Sequence, residues 1–232
     1  MTKSALLLLA LISVTVAIHE LEDDPDNLFR VYYSTHNGPF LTVGASAFDP
    51  DGEFLLYGSK VNDTTHHLVV YYYALRLHVP LPGMSHKDHI TQIDYSPDGS
   101  VIYTGSQDGT VKIWANRNGF PLLRTLTAPG KVYHFIINKD QDRLVTVGDK
   151  RYGKSIIAVF NLNSGKRIDD GDMYHDENTF SADFSHEDED MFATGSDDGT
   201  VGFWNVKTLR RIKKWDVREH YKDNYNEDQK NL

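Results

Sequence analysis

The stretch YSPDGSVIYTGSQDGTVKIW, Tyr95–Trp114, and its near copy FSHEDEDMFATGSDDGTVGFW, Phe184–Trp204, decide how the rest of the chain reads. From Gly105 and Gly195 onward the two run in constant register, 90 residues apart, twice 45. A third copy, FDPDGEFLLYGS, occupies Phe48–Ser59 and matches the Tyr95 segment position for position. A fourth and weaker copy, FIINKDQDRLVTVG, occupies Phe135–Gly148. The marker glycines are then Gly58, Gly105, Gly148 and Gly195, at spacings of 47, 43 and 47. Self-similarity at such a period points to a stacked repeat architecture.

Each copy has the same local grammar. An apolar run leads into a turn of Pro, Asp and Gly, in which Asp bonds the backbone and Gly takes positive φ. A second run ends at Gly-Ser and a tight Asp-Gly turn, the strongest short-range hairpin signal. A third run ends in an aromatic residue, and a fourth, such as Leu122–Leu126 or Leu209–Trp215, closes the unit. Four short antiparallel strands make a small sheet with two apolar faces, which must stack on neighbours to bury them.

These residues resemble the WD-repeat β-propeller family, whose period is about 40–45 residues with four strands per blade. The resemblance implies an all-β fold, a propeller with four recognisable four-stranded blades, closed as a small ring or left incomplete and open. It covers about Pro39–Val217, with blades near 39–82, 83–128, 129–172 and 173–217. In that family a His, a Ser or Thr, an Asp and a Trp form a hydrogen-bonded set. Carried over by position, one set is His86, Ser106 (or Thr104), Asp108 and Trp114. The other is His175, Ser196 (or Thr194), Asp198 and Trp204. A carboxylate and an indole N–H inside a packed sheet need partners, and the imidazole bridges them.

The first and third blades depart from the pattern. The third has Phe160 near the Trp position and a longer turn, Asp149–Ser155; the first lengthens the same turn, Lys60–His67, and places Tyr71 or a neighbour at the Trp site. Apolar packing alone is expected to hold these blades, with the long turns protruding from one face, where binding residues tend to sit. The run Val69–Tyr73 reads as a core strand with Tyr71 and Tyr72 on opposite faces.

Composition narrows the function. The 232 residues carry a net charge of −9, a balance opposite to that of a phosphate-binding surface, so nucleic acid is not expected as a partner. There is no cysteine, which excludes a disulfide framework, a thiolate metal site and a Cys nucleophile. Among eleven histidines, His86 and His175 belong to the repeat. His66 and His67 are neighbours that would point to opposite faces of a strand, so they cannot chelate one ion together and are expected in a surface loop. The acidic run Glu187–Asp190 lacks the spacing and sharp Gly turn of a calcium loop. No nucleophile elbow, phosphate loop or dinucleotide turn is present. No catalytic, cofactor-binding or metal-binding residue is therefore expected, and the chain reads as a non-enzymatic interaction scaffold.

What the resemblance implies for binding is a protein or peptide held by blade-face loops, at Lys87, His89, Gln107, Asp176, Asn178 and Asp197. Two alternatives stand beside it. One is a secreted or lumenal propeller with a ligand channel, which needs inward carboxylates or histidines from at least three blades. The other is a truncated propeller completed by a second copy or a partner. The first 17 residues, Lys3 followed by an apolar run to Ala17, match a signal peptide and are too short to leave a spanning helix. An acidic segment with an extra strand, Leu28–Ser34, would follow over 18–38, and 218–232 would be a polar tail. The N-terminal pattern thus places the chain in the secretory lumen or outside the cell, with the cytoplasm as the alternative, and opens Asn62 to glycosylation.

Overall fold

The computed structural model describes residues 43–219 apart from positions 63, 118, 150, 151 and 170. The expected signal segment, the acidic segment with its strand Leu28–Ser34, and all but the start of the polar tail lie outside these residues. Four four-stranded antiparallel sheets follow one another along the chain. The first holds β1 (Val43–Phe48), β2 (Leu55–Asn62), β3 (Thr65–Tyr72) and β4 (Leu77–His86). The second holds β5 (Ile90–Tyr95), β6 (Val101–Ser106), β7 (Thr110–Ala115) and β8 (Leu122–Thr127). The third is built from β9 (Val132–Ile137), β10 (Arg143–Gly148), β12 (Ala158–Asn161) and β13 (Lys166–Arg167); a two-residue strand in its long turn, β11 (Ser155–Ile156), pairs with β14 (Tyr174–His175). The fourth holds β15 (Thr179–Phe184), β16 (Met191–Ser196), β17 (Thr200–Asn205) and β18 (Arg210–Asp216).

Register repeats from blade to blade. Ile102 faces Trp114 and Gly105 faces Val111, as Phe192 faces Trp204 and Gly195 faces Val201. The tight turns of these two hairpins need a left-handed residue, and Gly109 (φ 83°) and Gly199 (φ 78°) supply it. Three apolar cores fill the spaces between successive blades: Leu56, Met84, Ile93 and Trp114 between the first and second, Val111, Phe135, Leu144 and Phe160 between the second and third, Val159, Phe192 and Trp204 between the third and fourth. Polar bridges join the inner strands as well. The Gln92 amide donates to Phe135 O (3.0 Å) and accepts from Phe135 N–H (2.8 Å), and His134 Nδ1 accepts from Ala182 N–H at 3.3 Å.

The marker glycines have a packing reason. A Cβ on Gly58 would lie 2.8 Å from Ile90 Cβ, and one on Gly105 2.9 Å from the Phe135 ring, so each lets the next blade's inner strand approach. The third blade solves the same problem differently. Leu144 faces Phe160 as Ile102 faces Trp114, which makes Gly148 the counterpart of Ser106 and puts Val147 at the marker position. Val147 packs in one core with Ala182, the counterpart of Phe135. Small against large has become medium against small. The sequence alignment of the fourth copy is therefore displaced by one residue.

The turn expected to protrude over Lys60–His67 is instead a lengthened hairpin, with Asn62 paired to Thr65. His66 and His67 sit in β3, not in a loop, and His66 is only 3% exposed.

Candidate functional site

The tetrads lie beneath one face of the blades. His86 Nδ1 lies 3.0 Å from Asp108 Oδ2, and its Nε2 lies 2.7 Å from Thr104 Oγ1, which also accepts the Trp114 indole N–H at 3.0 Å. A hydroxyl has one proton. The Asp108 carboxylate can only accept, so the ring's own proton sits on Nδ1 facing it; Nε2 is then the acceptor, and Thr104 donates its hydroxyl to Nε2 while accepting the indole N–H. Asp108 further accepts the Thr110 hydroxyl (2.6 Å), the Thr110 N–H (2.9 Å) and the Lys87 N–H (2.9 Å). The fourth blade repeats the set: His175 Nδ1 to Asp198 Oδ2 3.0 Å, Nε2 to Thr194 Oγ1 2.7 Å, Trp204 Nε1 to Thr194 Oγ1 2.8 Å.

The bridging hydroxyls are thus Thr104 and Thr194, and the assignment of Ser106 and Ser196 to the tetrads is corrected. Ser106 and Ser196 stand two residues further along, at the strand ends, where each accepts the N–H of the turn aspartate and donates to a carbonyl of the preceding loop. They lie beyond reach of an indole anchored at mid-strand. Thr110 and Thr200, a second hydroxyl in each network, had no place in the sequence-derived set.

Burial holds both imidazoles below their ordinary value of 6.5, against the raising effect of their aspartates, so both are neutral near pH 7. Burial works against charge on the aspartates, but hydrogen bonds outweigh it. Those from His86, Thr110 and the Lys87 N–H hold Asp108 well below the carboxylate range, and Asp198 is brought to about 2.

The loops joining each blade to the next and the Asp-Gly turns lie on this face. Gln107 N–H donates to His89 O at 2.8 Å and Asp197 N–H to Asn178 O at 3.0 Å. In the third blade Asp149 N–H donates to Lys131 O at 3.3 Å. Lys131 and Asp149 are therefore counterparts of His89 and Gln107, missed in sequence because of the one-residue displacement. Lys131 Nζ reaches across to Gln107 Oε1 at 3.1 Å, bringing these positions together between two blades. Lys87 and Asp176 are exposed, and their N–H groups donate to Asp108 and Asp198. Nearer the inner edge, Tyr133 and Phe180 stack at 5.1 Å, with Phe180 49% exposed.

The first blade has a polar set of its own, against the expectation of apolar packing alone. Leu55 faces Tyr71 as Ile102 faces Trp114, which puts Tyr71 at the Trp site and Tyr57 at the Thr104 position. The Tyr57 hydroxyl lies 3.0 Å from His78 Nδ1, and Tyr71 stacks on the same imidazole at 4.3 Å. The inner strands line a groove of about 700 Å³ with Gln92, Asp94, His134 and Asp183 on its wall. Gln92 and His134 are the blade-to-blade bridges already described, and Asp94 Oδ1 accepts the Tyr95 N–H at 2.8 Å.

Comparison with known proteins agrees with this geometry. The family model described as WD domain, G-beta repeat matches residues 81–115 and 175–205. The chain is 38% identical over 80 residues to a periodic tryptophan protein 2 homolog of Caenorhabditis elegans, covering 34% of this chain and 9% of that protein. It is 35% identical over 81 residues to eukaryotic translation initiation factor 3 subunit I of Aspergillus fumigatus (34% and 24%). With the ribosome biogenesis protein YTM1 of Meyerozyma guilliermondii it shares 27% identity over 161 residues (65% and 33%). The chain thus spans a third or less of the length of these relatives. Among solved structures, a chain of the mitotic checkpoint complex superimposes with a TM-score of 0.59 at 16% identity, over 75% of this chain and 52% of that one.

These relatives overturn the secretory placement. Translation initiation and ribosome biogenesis, the work their names state, are carried out inside the cell and not in the secretory lumen. The reading of Asn62 as a glycosylation acceptor depended on secretion and goes with it. The family model matches within the second and fourth blades, and the first and third keep the same strand plan: the chain carries WD repeats of the G-beta type at residues 81–115 and 175–205.

Proposed function

We propose that this chain is a non-enzymatic interaction scaffold that holds a protein or peptide partner on the face formed by its inter-blade loops. The observation that carries the reading is the threefold repetition of one backbone bond, Gln107 to His89, Asp149 to Lys131 and Asp197 to Asn178. Each ties a turn to the start of an inner strand, and in two of the three blades a buried tetrad lies beneath. Side chains presented on such a frame lose little conformational freedom on binding. The chemistry offered is mixed: Lys87, His89, Gln107 and Lys131 over the second and third blades, Asp176, Asn178 and Asp197 over the fourth. Basic side chains of a partner suit the acidic fourth blade, and the exposed Phe180 ring suits an apolar side chain beside it.

Gln107→Ala combined with Asp197→Ala tests this. Quantitative capture from native extract, wild type against the double variant, should show at least one protein lost by tenfold or more, and the melting temperature should move by no more than about 2 °C, as for surface substitutions. An unchanged set of captured proteins sinks the reading.

A further inference from the structure

His66 poses a problem that the repeat does not solve. It is 97% buried, and neither ring nitrogen has a hydrogen-bond partner. One strand away His86, equally buried, has both nitrogens engaged, so orphaned imidazoles are not a general habit of this fold. What stands beside His66 is a second imidazole and a carboxylate. The His89 ring lies 4.6 Å from it between centroids, and one donor atom each from His66, Asp88 and His89 lie within 4.8 Å of one another. Three donors about 2.0–2.1 Å from a tetrahedral zinc ion stand about 3.4 Å apart, so modest rotations of the two half-buried side chains close the set.

From this we infer a divalent transition-metal site, of zinc type, made by His66, Asp88 and His89 at the junction of the first and second blades. Two imidazoles and one carboxylate are a donor set that zinc accepts, and three protein donors leave a fourth position for water or an incoming side chain. The frame is already anchored. Asp88 Oδ1 accepts the His89 N–H at 2.8 Å, the Asp88 carbonyl accepts the Ser106 hydroxyl at 3.0 Å, and the His89 carbonyl accepts the Gln107 N–H at 2.8 Å. Such outer bonds orient ligands before the ion arrives. Lys131 Nζ lies 3.7 Å from Asp88 Oδ2. The site brings together residues on two blades. Its buried ligand comes from the lengthened hairpin of the first, the feature that most departs from the repeat.

The experiment uses the full chain, freed of metal by chelation, and zinc chloride as the probe. Calorimetric titration should give one site per chain, and cobalt(II) in its place should give a visible d–d absorption band. His89→Ala and Asp88→Asn should each weaken zinc by at least tenfold. His66→Leu should abolish the site and raise the melting temperature of the metal-free chain by a few degrees, since it removes an unsatisfied buried polar group. Zinc should stabilise the wild type to heating and leave His66→Leu/His89→Ala unmoved. Equal zinc uptake by the wild type and that double variant would overturn the proposal, as would no uptake by the wild type at 100 μM zinc, on the order of the weakest affinity a built site would show. Should His66→Leu fail to fold, the two half-buried positions still decide the matter.

Discussion

In the second blade Thr104 accepts an indole N–H and donates a hydrogen bond to an imidazole; in the third the same position holds Thr146, and Phe160 stands across the ladder in place of the Trp. Both residues are buried in their blades, and both blades keep the same strand pairing. The difference extends to the blade-to-blade contact. Gly105 receives Phe135, whereas Val147 shares a core with Ala182. One interface is specified by directional bonds over a close approach, the other by complementary volumes. The strand plan therefore does not depend on the tetrad. The tetrad sets how firmly a loop above it is held, because Asp108 reaches the Lys87 N–H and the turn at once.

The volume exchange gives the largest expected effect. Phe135→Ala should cost about 3–5 kcal/mol and Gly105→Val about 2 kcal/mol in urea unfolding. Combined, they copy the Val147–Ala182 solution, and the double variant should be more stable than the sum predicts by about 1 kcal/mol or more. Strict additivity would show that the two interfaces are not alternative fillings of one space. Next comes the turn carboxylate. Asp108→Ala should cost about 3 kcal/mol, since it orphans His86, Thr110 and the Lys87 N–H, against about 1 kcal/mol for Asp149→Ala in the third blade. Equal losses would erase the distinction between the two blades.

The smallest effect is in pH. His86 and His175 have folded values below 6.5, so the unfolded chain takes up protons that the native state refuses. Stability is then complete above about pH 6.5 and falls as the pH drops toward the folded values, by at most about 1.4 kcal/mol per unit for each ring. His66, His67, His78 and His134, also lowered by burial, contribute in the same direction. Asp108 and Asp198 add a later loss, below the ordinary carboxylate range. His86→Asn with His175→Asn should make the pH 7 to 5 segment of a denaturation series shallower without flattening it. An unaltered slope would mean that the tetrad imidazoles do not carry this linkage.

Strands and tight turns could be read from the sequence wherever residue type dictates conformation, as at the Asp108-Gly109 and Asp198-Gly199 turns. Choices made by packing could not. Thr104 and Ser106 are both hydroxyls of equal parity on one strand, and only the reach of Trp114 from mid-strand separates them. Gly148 matched a glycine by type, while the space between blades counted volume and gave the position to Val147. His66 and His67 are neighbours in sequence on opposite faces of a strand, whereas His66 meets Asp88 and His89 on the next blade, across a distance no local pattern encodes. The apolar run before Ala17 carried a signal-peptide pattern and no information about the repeat, so it pulled the placement toward secretion.

Among the described residues four blades meet through three cores, and that arithmetic governs cooperativity. Each interface ties a blade to its nearest neighbours, as in a one-dimensional array. Among these residues the second and third blades each border two cores, and the first and fourth each border one. Counterpart positions show the gradient at rest: Leu126, between blades, is 1% exposed, and Trp215, at the same register in the fourth, is 43% exposed. Amide exchange should follow it, slowest in β6 and β10 and faster toward β2 and β17. The face that holds His89, Gln107 and Lys131 then lies over the two blades that border a core on each side.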